Sequence, residues 1–183
     1  MTPLKLSIAA LTVLTASIVG NASKATPPVS NTIKVGPDVF VDIMDHQLPN
    51  GTISDGGSRA STIRIRRGDT QLIYDDIWDQ PLTPADIAYV NAGGNDWNIA
   101  VRSGRDKDVL TCYAVRGNEV FCNLTKEGKG GRFRFGHHGD KLKDYGFTWE
   151  NMNTLKVSFG DKTGVIFWDA EAKKWHANGE QVS

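Results

Sequence analysis

The chain reads as an all-β, β-dominated single domain, an antiparallel sandwich or barrel with one or two short helices. Three observations predict this. Short runs alternate apolar and polar residues, turn residues separate the runs, and glycine is abundant, at 19 of 183 residues. The alternation is clean in three places. Ile63 and Ile65 stand against Arg64 and Arg66; Trp97, Ile99 and Val101 against Asn98 and Arg102; Leu155, Val157 and Phe159 against Lys156 and Ser158. Period two of this kind marks sheets with one face in the core and one in water.

The first residues give an expected address. Lys5 precedes a mostly apolar run from Leu6 to Val19, and small residues follow, with Gly20 and Ala22 or Ser23 and Ala25 spaced for signal peptidase. The run is diluted by Ser7, Thr12, Thr15 and Ser17, and falls short of the roughly 20 apolar residues of a membrane span. Residues 1–25 are therefore expected to be a cleaved secretory signal, and the protein periplasmic or secreted rather than membrane-spanning. Residues 26–31, with Pro27-Pro28, read as an extended leader, and 32–183 as one β-rich domain. Lys5 and Lys24 would leave with the signal, so 19 basic residues face 21 acidic ones. That balance argues against nucleic acid as a partner.

Strands are expected over Thr32–Ile43, broken by Gly36-Pro37, then Thr62–Arg67, Gln71–Tyr74 and Trp97–Arg102. Val109–Val115, Glu119–Leu124, Arg132–Phe135, Leu155–Phe159, Val165–Trp168 and Lys174–His176 follow. One helix of about two turns is expected from Thr83, with Pro84 at its first position, Asp86 at its third and a stop at Asn91 before Gly93-Gly94. A second helical turn is expected within Asp140–Asn151. No fixed-period repeat is visible. Phe167-Trp168-Asp169 followed by Lys173-Lys174-Trp175 resembles a propeller-blade hairpin, but one such phrase does not make a propeller.

The two cysteines, Cys112 and Cys122, are expected to form a disulfide, as an even pair in an exported protein. A three-residue hairpin loop at Arg116-Gly117-Asn118 would place Val115 opposite Glu119 and the cysteines directly opposite each other. The same register would oppose Tyr113 and Phe121 on a second apolar face. That face is either core or a surface offered to a partner, with Tyr113 as its anchor.

Other candidates are weaker in pattern. Arg64 and Arg66 share one strand face, as do Arg132 and Arg134; on neighbouring strands the four would form a ladder for carboxylates, phosphates or an acidic protein surface. Without that neighbourhood they are a solvated face. Asp75, Asp76 and Asp79 gather beside Tyr74 and Trp78, a grouping that would suit calcium or a hydrolytic acid–base pair but matches no metal motif. His137 and His138 stand between Gly136 and Gly139, a loop that would have to fold around any metal. Arg67-Gly68-Asp69 falls where two strands need a turn, and Asn50 and Asn123 head glycosylation sequons. No cofactor-binding motif is present in the sequence.

These readings favour a binding protein without enzymatic activity. In size, export and strand content the chain resembles the small periplasmic inhibitors of lysozymes and the immunity proteins that block cell-wall-degrading toxins. The resemblance implies a protein partner, a cell-wall-active enzyme or toxin, and the strand faces above offer Tyr113, Phe121, Arg64, Arg66, Arg132 and Arg134 as the candidate contacts. The alternatives are a carbohydrate or lipid binder with a cleft lined by Trp78, Trp97, Trp149, Trp168 or Trp175, and a small hydrolase using Asp75, Asp76 and Asp79 or His137 and His138.

Overall fold

In the computed structural model, which describes residues 29–45, 61–77, 82–103, 109–122, 132–134, 146–159 and 162–178, the chain is almost wholly β. Strands β1 (Val29–Lys34), β2 (Val39–Asp45), β3 (Ser61–Arg67) and β4 (Thr70–Ile77) form a first antiparallel sheet in that order. The central sheet holds β5 (Ile87–Gly93), β6 (Asp96–Ser103), β7 (Val109–Arg116) and β8 (Glu119–Phe121). The short β9 (Arg132–Arg134) also pairs with β7, alongside its first residues, while β8 pairs with its last. The third sheet is β10 (Gly146–Asn151), β11 (Thr154–Phe159), β12 (Lys162–Asp169) and β13 (Lys174–Asn178). β1 begins at Val29, inside the stretch expected to be a leader.

The three sheets stack, with the central one covered on both faces. Toward the first sheet, Ile99, Val101, Tyr113 and Val115 meet Val39, Val41, Ile43, Ile63 and Ile65 in one apolar cluster. Toward the third, Ala100, Leu110, Cys112 and Ala114 meet Leu155, Val157, Ile166, Trp168 and Trp175 in another. This explains why β7 is apolar on both faces: all of Val109–Val115 is buried. The third sheet alternates because it buries one face only, whereas the first also buries Met44 and Thr62 on the face away from the central sheet. Each sheet is an up-and-down meander, the shape of a propeller blade. The repeat therefore lies in the topology, where no fixed-period sequence repeat marks it.

The expected helix is a single 3-10 turn, Pro84–Asp86. Its capping pattern is real: the Thr83 backbone N–H and hydroxyl both donate to Asp86 Oδ2 at 3.0 Å. Ile87 then enters β5, whose register sets Ile87 against Val101 and Tyr89 against Ile99. Branched and aromatic side chains beside an apolar strand gain more from pairing there than from extending a two-turn helix. Of the span expected to hold a second helical turn, residues 146–151 form β10, paired along β11, and residues 140–145 lie outside the described residues.

The disulfide expectation fails on register. Arg116 faces Glu119, Val115 faces Val120 and Ala114 faces Phe121, which leaves Gly117-Asn118 as a two-residue turn. Gly117 has φ +56°, the left-handed backbone that the first position of a type II′ hairpin turn requires. A shift of one residue sends side chains to the opposite face. Cys112 accordingly lies in the cluster facing the third sheet, Cys122 packs on the cluster facing the first, and no disulfide joins them. Burial pushes the Cys112 thiol far above its ordinary pKa, so it is a small core side chain and not a nucleophile.

Arginines at the turns tie one sheet to the next. Arg67, just before the Gly68-Asp69 turn, pairs with Asp38 at 2.9 Å within its own sheet. It also donates to the Asn95 and Gly117 carbonyls at the two hairpin turns of the central sheet, at 2.9 and 3.0 Å. Arg116, just before the corresponding Gly117-Asn118 turn, sits 5.1 Å from the Trp168 ring centroid of the third sheet. Its Nη2 donates to Asn98 Oδ1, and Asn98 Nδ2 donates to the Met152 carbonyl in the β10–β11 turn at 2.6 Å.

Candidate functional site

β3 carries the candidate site on its outer face. Ile63 and Ile65 point into the core, so Arg64 and Arg66 emerge together on the opposite side. Neighbouring β2 places Asp42 directly beside Arg64, and β1 places Thr32 beside Asp42. Arg64 Nε and Nη2 donate to Asp42 Oδ2 at 2.8 and 2.6 Å, and Arg66 Nε donates to the same oxygen at 2.9 Å. Thr32 Oγ1 donates to Oδ1 at 2.7 Å. The carboxylate is 1% exposed, while the arginine side chains keep 27% and 22% of their surface open.

Burial acts most strongly on Asp42 and alone would raise its pKa. Hydrogen bonds from Arg66, Thr32 and Arg64, with the Arg64 charge, outweigh that effect and hold it below the ordinary carboxylate value. A carboxylate so enclosed stays ionised and fixes both guanidinium groups. Arg66 is held further: its Cζ lies 4.2 Å over the Phe40 ring, and Nη1 donates to the Gly68 carbonyl at 2.6 Å. Tyr74, 39% exposed, stands opposite Arg64 on β4. Two guanidinium groups against one carboxylate leave one net positive charge on this triad.

The remaining candidates are placed elsewhere. Arg132 and Arg134 belong to β9, whose partner is β7 of the central sheet, so the four arginines do not form a ladder on adjacent strands. Tyr113 is fully buried between the first two sheets and donates its hydroxyl proton to Asp75 Oδ2 at 2.7 Å. Phe121 is half-buried on the opposite face of the central sheet, 5.9 Å from the Trp168 ring. The two are not a cross-strand pair, and Tyr113 has no exposed surface to offer a partner. Asp75 is thus engaged with the core. Asp76 lies opposite Thr62 in β4, and its side chain, with Asp79, His137 and His138, falls outside the described residues, as do residues 1–25 and both sequons.

The described tryptophans do not line a common cleft. Trp149, Trp168 and Trp175 pack on one another between the central and third sheets, with ring centroids 5.2–6.1 Å apart. Trp97 belongs to the other interface, against Gly36 and Tyr89; Trp78 lies outside the described residues. The arginine of Arg67-Gly68-Asp69 is 14% exposed and committed to the inter-sheet bonds above, so the tripeptide is a structural turn. Among the described residues, no three His, Cys, Asp or Glu side chains gather as a metal site, and no helix is long and apolar enough to cross a membrane.

Arg64 and Arg66 were legible from alternation, but Asp42 and Phe40 were missed. The available signal was Asp42 itself, an acid within the apolar run Val39–Ile43 at an outer-face position. Compared with models of known families and with curated protein sequences, the chain matches none.

Proposed function

We propose that the chain is an exported binding protein of the inhibitor or immunity type, which neutralises a cell-envelope-directed enzyme or toxin by protein–protein contact. The observation that carries this reading is the outer face of the first sheet, where Arg64 and Arg66 are pinned around buried Asp42 beside exposed Tyr74. Arginine and tyrosine are the side chains that most often dominate such contacts. Arginines already ordered in the free protein lose little rotamer entropy on binding. A cationic, aromatic-edged sheet face suits an acidic protein surface.

The test is capture from the host's envelope and secreted fractions on immobilised protein, with an Arg64→Gln/Arg66→Gln variant in parallel. The expected result is one stoichiometric wall-active enzyme or toxin, held by the wild type, released by the variant, and slowed in turnover when the wild type is added. Capture that is equal on both proteins, or no effect on turnover, would overturn the reading.

A further inference from the structure

We infer that Arg64 and Arg66 form a preassembled receptor for a single carboxylate, presented by a glutamate or aspartate side chain of a protein partner. The inference rests on the binding reading above and names the group recognised there. Both guanidinium groups reach the same Asp42 oxygen, which brings two side chains from β3 together at one point. Asp42 takes Nε and Nη2 of Arg64 and Nε of Arg66, and the Gly68 carbonyl takes Nη1 of Arg66. Arg64 Nη1 and Arg66 Nη2 are left without a protein partner among the described residues. Each guanidinium thus keeps N–H donors that a carboxylate oxygen can accept, with charge assistance at each bond.

Charge matching selects the ligand. The triad carries one net positive charge, which one carboxylate neutralises. A phosphate monoester brings about −1.5 to −2 at neutral pH and would leave excess negative charge above buried Asp42. Phe40 covers one face of Arg66 and keeps water from it, so the positive charge there is less well hydrated and stronger toward a ligand. Tyr74 supplies an exposed rim for the apolar part of a partner side chain. Exposed Lys34, opposite Phe40 on β1, adds charge without a fixed fork.

The experiment is an NMR titration of the 15N-labelled protein, following the arginine Nε–Hε signals. The probe is an end-blocked pentapeptide with one glutamate, with its glutamine counterpart as control. The glutamate peptide is expected to move the Arg64 and Arg66 signals together and the glutamine peptide to move neither. Arg64→Lys keeps the charge but loses the fork, and should weaken peptide binding at least fivefold, whereas Lys34→Gln should change it less than twofold. Asp42 retains Arg66 and Thr32 in the Arg64 variant, and its amide spectrum checks the fold. Arg64→Lys binding as well as wild type would overturn the receptor, as would inorganic phosphate binding more tightly than the glutamate peptide. Peptide binding at the triad with no enzyme captured would leave the receptor standing and the inhibitor reading refuted. Capture of an enzyme that survives loss of both arginines would refute the receptor.

Discussion

The Tyr113 hydroxyl meets Asp75 Oδ2 over 2.7 Å, joining the central sheet to the first inside their shared core. Tyr113 itself is 0% exposed. Tyr113→Phe removes the proton donor and keeps the ring. The expected loss is about 1–3 kcal/mol, the cost of depriving a half-buried carboxylate of one bond. Urea denaturation of the two proteins measures it, and an unchanged midpoint would show that the bond contributes nothing net.

Gly36 is required by space. A Cβ built there would stand 2.6 Å from Trp97 Cε2 and Nε1, well inside van der Waals contact. Gly36→Ala should destabilise by roughly 1–3 kcal/mol, as overpacking of a close-packed interior does. Tryptophan emission should shift as the Trp97 ring moves. Thermal unfolding monitored by fluorescence reads both effects.

The cysteines should titrate as two thiols. In the native protein Cys112 should be unreactive toward a disulfide-exchange reagent, because it is buried and burial opposes its thiolate. Both should react in denaturant without prior reduction, and reductant should leave the melting temperature unchanged. A count of zero in denaturant would require a bond between opposite faces of one sheet.

Asp42 makes the first sheet sensitive to acid. Its folded pKa lies below that of an unfolded aspartate, about 3.9. The ionised group therefore adds stability above that value, and the contribution is lost as pH falls through the folded pKa. Asp42→Asn should cost about 3 kcal/mol at neutral pH, the scale for breaking a buried ion pair. The difference between the two proteins should narrow toward pH 2. Denaturation midpoints from pH 7 to pH 2 test the sign, since a gap that widened in acid would reverse it.

Strand positions were readable in the sequence where apolar and polar residues alternate or apolar runs occur. β3, β6 and β11 all lie where alternation or apolar runs placed them, and the two apolar faces of 109–115 foretold a covered strand. Misreadings arose where a local signal competed with a distant one. Thr83 and Asp86 do cap a turn, but pairing with β6 decides the fate of Ile87–Val90. Gly117-Asn118 was open to two loop lengths, and one residue decided whether the cysteines met. Of the candidate site, the arginine pair was visible as a period-two pattern. Its anchor was not, because Asp42 lies 22 residues before Arg64 and joins it only through β2–β3 pairing.

The layering has a consequence for how this chain tolerates change. The first and third sheets bury their apolar faces in separate clusters, both supported by the central one. Nearest-neighbour stacks of this kind have stabilities close to a sum of interface contributions. A substitution among Leu155, Ile166 and Trp175 should therefore add independently to one among Val41, Ile63 and Ile65. The third sheet can drift in sequence without disturbing the arginine face, while the central sheet, answerable to both neighbours, is the layer least free to vary.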